Sequence, residues 1–254
     1  MRVQVIRHAT LMLYINNLKI LVDPVFSPAG AMATIANSTN QLLNPLVELP
    51  VGIGELINVD AILVTHTHRD HFDQQAAEIL PKHIQVFCQP EDEEKIKTYG
   101  FEKVTAVTEK FFWKDITFTR TQGRHGTGEN EKILAPVSGF IVQAEGEPSL
   151  YIAGDTVWCD YVEDTLKRFN PQITLVFAGA AQFLTGGPIT MTGEDIQKVC
   201  QCCQDTQVFV AHMEAWNHCP LTRSTLRAFF KEKGLEKRVF IPEDGQEIVV
   251  KLSS

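Results

Sequence analysis

Alternating apolar and polar positions place three short strands at the start of the chain. The runs RVQVIRH, LMLYINN and KILVDPV are rich in β-branched or large apolar residues and are broken by Asn16-Asn17 and Pro24, which predicts an antiparallel meander. NVDAILVTH then reads as an apolar strand ending in polar residues, and FDQQAAEILPKH has helical periodicity closed by Pro81. Beyond it come a strand (IQVFCQ), a helix ending at Gly100 (EDEEKIKTYG), and the strands KVTAV, ITFTRTQ, GFIVQAE and SLYIAGD. YVEDTLKRF and TGEDIQKVCQCCQ look helical, ITLVFAG and QVFVAH look like buried strands, and TRSTLRAFFKEKG is an amphipathic helix before RVFIPEDGQEIVV. Two strand-rich halves with outer helices predict an α/β protein built as a four-layer αββα sandwich. No linker or repeat divides residues 1–254, so a single domain is expected. Residues 27–58 are rich in Gly and Pro with little periodicity; a long irregular insertion is often functional, and this one is expected to act as a lid or substrate wall.

Composition excludes more than it assigns. A hydrophobic content of 44% with 21% charged residues is that of an ordinary globular protein. The net charge of −8 argues against a nonspecific grip on nucleic acid. Near the N-terminus, Leu11 to Ile15 is too short an apolar run for a secretory core or a membrane span, so a cytoplasmic address is expected. The six cysteines, without export features, suggest reduced thiols, and CQCC at 200–203 lacks the second ligand pair of a structural zinc site.

The chemistry concentrates in ILVTHTHRDHFD, residues 62–73. At this composition H-x-H-x-D-H would arise by chance in roughly 4 of 10,000 such chains. On an extended segment His66 and His68 point the same way, and a helix-starting turn brings Asp70 and His71 to a neighbouring point. Imidazoles and a carboxylate suit zinc, iron or manganese. Two metals need further ligands, and the candidates are His125 in a Gly-rich loop and Asp155 and His212, each directly after an apolar strand.

THTHRDH, a loop histidine, AGDT and a strand-end histidine together resemble the metallo-β-lactamase superfamily across nearly the whole chain. That resemblance implies the αββα fold, one metal held by His66, His68 and His125, a second by Asp70, His71 and His212, and Asp155 bridging. VIRHATLMLYINNLKILVDPVF is similar to the start of the branch containing ascorbate-6-phosphate lactonase and the N-acylphosphatidylethanolamine phospholipases, with Arg7 where glycine is common and HMEAWNH where the phospholipase-like members carry His-Trp-Gly-Thr. Zinc is the first expectation for the two divalent ions, with manganese or iron as alternatives.

Two such ions can share and activate a water as the nucleophile, and Asp70 is assigned to orient it or take its proton. Asp23 either fixes a ligand imidazole from behind or merely forms a turn before Pro24. By the resemblance His8 reaches the site rim, the alternative being a strand histidine satisfied by its neighbours; His218 binds substrate, shuttles protons or is structural. Trp158, Tyr161 and Trp216 flank the candidates as pocket wall or core, and His83 reads as a surface residue. Arg124 and Arg223 are candidates to pair with a substrate phosphate or carboxylate, against a solvated surface role. If neither faces the metals, a neutral ester or lactone is favoured over a phosphodiester. The expected activity is hydrolysis of a small lactone, ester or phosphodiester. The alternatives are a nucleic-acid phosphodiesterase of the same fold, disfavoured by the acidic chain, and a noncatalytic di-iron or redox protein. A small-molecule substrate is the expected partner, and a homo-oligomer stays open.

Overall fold

The computed structural model describes residues 1–251. Strands β1 (Arg2–Arg7), β2 (Thr10–Ile15) and β3 (Leu18–Val22) form the expected antiparallel meander. After the irregular segment, which contains the short helix α1 (Ile53–Leu56), strand β4 (Ala61–Val64) pairs parallel to β3. Helix α2 (Gln74–Ile79), strand β5 (Gln85–Cys88), helix α3 (Glu93–Thr98) and strand β6 (Lys103–Ala106) continue the parallel half of this sheet. The second sheet opens antiparallel with β7 (Lys110–Trp113), β8 (Ile116–Gln122), helix α4 (Glu129–Leu134), β9 (Ser138–Ala144) and β10 (Leu150–Ile152). It turns parallel through α5 (Asp160–Phe169), β11 (Ile173–Phe177), α6 (Gly193–Cys202), β12 (Gln207–Ala211), α7 (Arg223–Glu232) and β13 (Val239–Phe240). The last strand, β14 (Glu247–Val249), returns to the first sheet beside β1. Each sheet has seven strands, in the orders β14-β1-β2-β3-β4-β5-β6 and β13-β12-β11-β10-β9-β8-β7.

The apolar runs are continuous because both faces of these sheets are covered. In β4, Ala61 and Leu63 enter the core between the sheets, while Ile62 and Val64 meet Ala76 and Ala77 of α2 and Leu80 just after it. In β12, Phe209 and Ala211 face that same inner core, and Val208 and Val210 pack with residues of α5, α6 and α7. This is the four-layer αββα sandwich expected from the sequence.

Three departures are local. RVFIPEDGQEIVV splits between the sheets, because the chain leaves β13 at Pro242 and turns at Gly245, φ +84°, into β14. Residues 110–113 and 129–134, unassigned by pattern, form β7 and α4. In β7 the aromatic pair hides the alternation, since Phe111 packs on the inner core while Phe112 is 68% exposed. The six cysteines are unpaired thiols, and Cys200 and Cys203 pack under α5 and α7. No helix among the described residues is long and apolar enough to cross a membrane.

Candidate metal centre

One edge of the sandwich collects the ends of β1, β4, β8, β10 and β12. His8, Thr65–His71, His125, Asp155 and His212 all follow these strands within a few residues. Asp73 then starts α2 by accepting from Ala76 N at 2.7 Å, and its other oxygen takes Ser27 N at 2.8 Å, so the motif ends in a fixed helix cap. Gly154 is required before Asp155. Its φ is +71°, and a Cβ there would lie 2.4 Å from Ser138 O. His8, Asp23 and His212 also have left-handed backbones, φ 58°, 45° and 63°. Strained dihedrals of this kind persist where the surroundings over-determine them; here His212 N donates to His8 O at 2.9 Å.

The side chains converge in two adjacent groups. His66, His68 and His125 form one, and Asp70, His71, Asp155 and His212 the other, with the candidate ligand atoms of each group within 4.8 Å of one another. Asp155 lies between them. Its Oδ2 is 3.3 Å from His71 Nε2 and 3.3 Å from His125 Nε2, and its Oδ1 is 3.5 Å from His212 Nε2. Asp70 Oδ2 is ringed by three imidazoles, His8 Nε2 at 3.5 Å, His212 Nε2 at 3.6 Å and His218 Nε2 at 3.8 Å.

Partners behind the rings fix which nitrogen carries the proton. His71 Nδ1–H donates to Asp23 Oδ2 at 2.8 Å and His125 Nδ1–H to Ile189 O at 2.8 Å, leaving Nε2 of both rings directed at the cluster. Thr65 Oγ1 donates to Asp23 Oδ2 at 2.7 Å and so accepts from His66 Nδ1 at 3.1 Å, which leaves His66 Nε2 in the same state. Asp23 therefore orients one histidine directly and another through Thr65. His212 Nδ1 faces the Cys219 thiol at 3.7 Å.

These atoms fit divalent cations. His71 Nε2, His212 Nε2 and Asp155 Oδ1 are buried without a hydrogen-bond partner, and a stranded buried polar atom costs about 1–3 kcal/mol. Cations accepting imidazole and carboxylate electron pairs would satisfy all three. The electrostatics are correspondingly divided. Burial, then the charges of His71 and His68, hold His66 well below the usual histidine range; burial also depresses His8, with His212 adding to it. Burial opposes ionisation of Asp70 and Asp155 too, but His71 for the first and His212 for the second override it and hold both carboxyls well below the usual range. Against the same burial penalty, Asp155, Asp23 and Asp70 hold His71 well above its usual range.

The remaining candidates divide. His8 and His218 reach Asp70, and the His8 ring lies 3.6 Å, centroid to centroid, from His212 and 5.7 Å from Trp216, which is fully buried. Trp158 instead packs with the apolar cluster under the outer helices of the second sheet. The two arginines are paired with protein groups. Arg124 pairs with Glu131 and Asp160, each at 3.0 Å. Arg223 is buried at the start of α7, where it donates to Pro242 O and Glu214, each at 2.8 Å, and pairs with Asp244. Protein acceptors meet both guanidiniums in this structure. His83 is exposed, as its position suggests.

Sequence pattern missed Cys219 and Asn217. Asn217 Oδ1 accepts from Ile35 N at 2.9 Å and Asn44 Nδ2 at 2.8 Å, and its Nδ2 donates to Asn40 O at 2.9 Å and to Ser38 Oγ. Leu46 N reaches Ala215 O at 2.8 Å, and Arg69 reaches Thr34 O at 2.7 Å. The irregular segment is thereby tied to the loop between His212 and His218. Met32 and Ile35 join Phe183 and Leu134 as half-buried apolar side chains against Trp216, Ile189 and Cys219.

Residues 19–213 match the family described as "Beta-lactamase superfamily domain". The chain is 39% identical over 250 residues to the UPF0173 protein YddR of Bacillus subtilis (strain 168), covering 97% of this chain and 98% of that one. A solved structure of an isothiocyanate hydrolase from Delia radicum gut bacteria superposes with a TM-score of 0.96 at 35% identity, over 99% of this chain and all of the other (100%). A "possible metal-dependent hydrolase" from Veillonella parvula DSM 2008 superposes with a TM-score of 0.95 at 34% identity, over 98% and 99% of the two chains.

Proposed function

The chain belongs to the beta-lactamase superfamily, and on that premise we propose that it is a metal-dependent hydrolase adding water to an electrophilic carbon of a small, uncharged substrate. The observation that carries the reading is the convergence of seven side chains into two adjacent groups around Asp155, with imidazole Nε2 atoms turned inward. His66, His68 and His125 would hold one divalent ion; Asp70, His71 and His212 would hold the second, with Asp155 between them. When bound, two such ions supply an activated shared water and polarise the bond under attack.

The chain's own groups do the rest. Asp23, Thr65 and Ile189 O keep the imidazole protons on the outer nitrogens. Asp70 Oδ2 is placed to orient the attacking water or take its proton, with His8 and His218 at 3.5 and 3.8 Å as the neighbouring imidazoles. Residues 27–58 form a substrate wall, and Met32, Ile35, Phe183 and Leu134 offer it an apolar face.

Lactones and esters fit this description, and so do isothiocyanates, the substrates named for the relative from Delia radicum gut bacteria. Engagement of Arg124 and Arg223 by protein acceptors favours these neutral electrophiles over phosphodiesters. The test is metal analysis of the purified protein, followed by assay against a lactone, an aryl ester, an aryl isothiocyanate and bis(p-nitrophenyl) phosphate, before and after chelation. Two ions per chain and chelator-sensitive turnover of a neutral substrate are expected. A protein without transition metal, or a His68→Ala variant that binds metal as well as the parent, overturns the reading.

A further inference from the structure

Thr67 separates His66 from His68, and each of its polar groups is held by the next helix. Its N–H donates to Asp92 Oδ2 at 3.0 Å, and its hydroxyl donates to Asp92 Oδ1. Lys95 Nζ donates to Thr67 O at 2.8 Å and to Thr67 Oγ1 at 3.0 Å. Asp92 is buried just before α3 and also accepts from Gln89 Nε2 at 2.8 Å.

The network does not stop at the first sheet. Gln89 Oε1 accepts from Ser138 Oγ at 2.7 Å, and Ser138 Oγ accepts from Arg120 Nε at 2.7 Å. Gln89 Nε2 also reaches Pro136 O at 3.1 Å. Ser138 begins β9, and Arg120 lies in β8, the strand that leads to His125. A chain of hydrogen bonds, buried from Thr67 to Ser138, thus joins the turn carrying His66 and His68 to the strand that leads to the third histidine of the same group.

We propose that Asp92 is the positioning residue of the three-histidine metal position. It sets the spacing of His66 and His68 and holds that pair in register with His125, so it governs how tightly and in what geometry that ion is bound without touching it. The inference rests on the two-metal reading above. The other group has separate supports, namely Cys219 behind His212, Gly154 before Asp155 and the His8–His212 backbone bond. Loss of the Asp92 network is therefore selective.

A carboxylate is needed because both its oxygens meet donors; Asn would turn an NH₂ either towards Thr67 N–H and Gln89 Nε2 or towards the Thr67 hydroxyl. Partners behind metal ligands typically alter affinity by about 10–100-fold. The experiment titrates the metal-free full chain with Zn²⁺ and with Co²⁺, reading stoichiometry by calorimetry and coordination by the visible cobalt bands. For Asp92→Asn one equivalent keeps its affinity, the other weakens about 10–100-fold, and the cobalt bands of one position change. Thr67→Val, which removes the hydroxyl donor, moves the same position in the same direction, and Thr67→Ser restores it.

Two ions bound by Asp92→Asn with parental affinities and cobalt spectrum overturn the proposal. If Asp92→Asn does not fold, identical binding by Thr67→Val and Thr67→Ser overturns it instead. A parent chain that binds no ion overturns the two-metal reading, which separates that failure from this one.

Discussion

Replacing Asn217 by Ala tests whether residues 27–58 are a fixed wall. The side chain is buried and accepts from Ile35 N and Asn44 Nδ2 while donating to Asn40 O and Ser38 Oγ. Four hydrogen bonds at about 0.5–1.5 kcal/mol net each amount to about 2–6 kcal/mol. Water reaching the freed groups at this edge of the sandwich brings the expected loss to about 2–4 kcal/mol. Because the bonds join a loop segment to the body, the loss falls on local opening of the segment while the sheets keep their core. Every 1.4 kcal/mol is tenfold, so amide exchange in peptides spanning residues 30–47 should accelerate about 30- to 1000-fold. The amides of Met32, Asn44 and Leu46, bonded to Asn44 O, Met32 O and Ala215 O, are the reporters. If the segment walls the substrate, KM rises with little change in kcat, and metal content is unchanged. Exchange within about threefold of the parent would refute the argument, because the order of the segment would then not rest on Asn217.

Asp23→Asn replaces the acceptor shared by His71 Nδ1, Thr65 N and Thr65 Oγ1, so both the His71 and His66 tautomers lose their anchor. Metal affinity should fall about 10–100-fold, and unchanged affinity in a competition titration would contradict the tautomer assignment. Cys88, a thiol outside both candidate groups, gives a pH-dependent prediction. Burial, then Asp92, pushes its thiol from 9.0 up to about 12, so its contribution to stability is complete below about pH 9. As pH climbs towards 12 the unfolded chain ionises this thiol and the folded chain does not, so stability falls by a few kcal/mol at most. Urea melts between pH 8.5 and 11 should show a smaller loss for Cys88→Ala than for the parent; parallel losses would count against the shifted thiol.

What could be read from the sequence, and what could not, follows from the range of the interactions. Period-two alternation and apolar runs are local signals, so the meander, β4, β12 and the outer helices are all legible. Phe111-Phe112 hides the alternation of β7, and RVFIPEDGQEIVV hides a change of sheet, because neither is decided by its own residues. The histidines and aspartates of the two groups stood out because ligating residue types at strand ends are rare. Asn217, Asp92 and Cys219 carry no such mark. Their roles come from partners 173 to 182 residues away for the Asn217 side chain with Asn44 and Ile35, 25 residues away for Asp92 with Thr67, and a thiol turned to one imidazole. The partners of the arginines are hidden for the complementary reason: a cation beside a predicted ligand says nothing about which carboxylate reaches it first.

Asp23 shows where two sequence readings were not rivals. The LVDP context suggests either a turn before Pro24 or a carboxylate behind a histidine, and the structure requires both at once. A left-handed φ of 45° at Asp23 carries the chain out of β3, while its N–H is held by Leu63 O at 3.0 Å, on the strand that delivers the histidine motif. That backbone bond fixes the side chain beside Thr65 and His71, so the turn conformation is what delivers the carboxylate. Asp is among the residues that tolerate the left-handed region, and only its charged form accepts at all three contacts. Asn would keep the turn and lose one of the two acceptor oxygens, so Asp23→Asn separates the two roles, with the fold retained and the metal positions weakened.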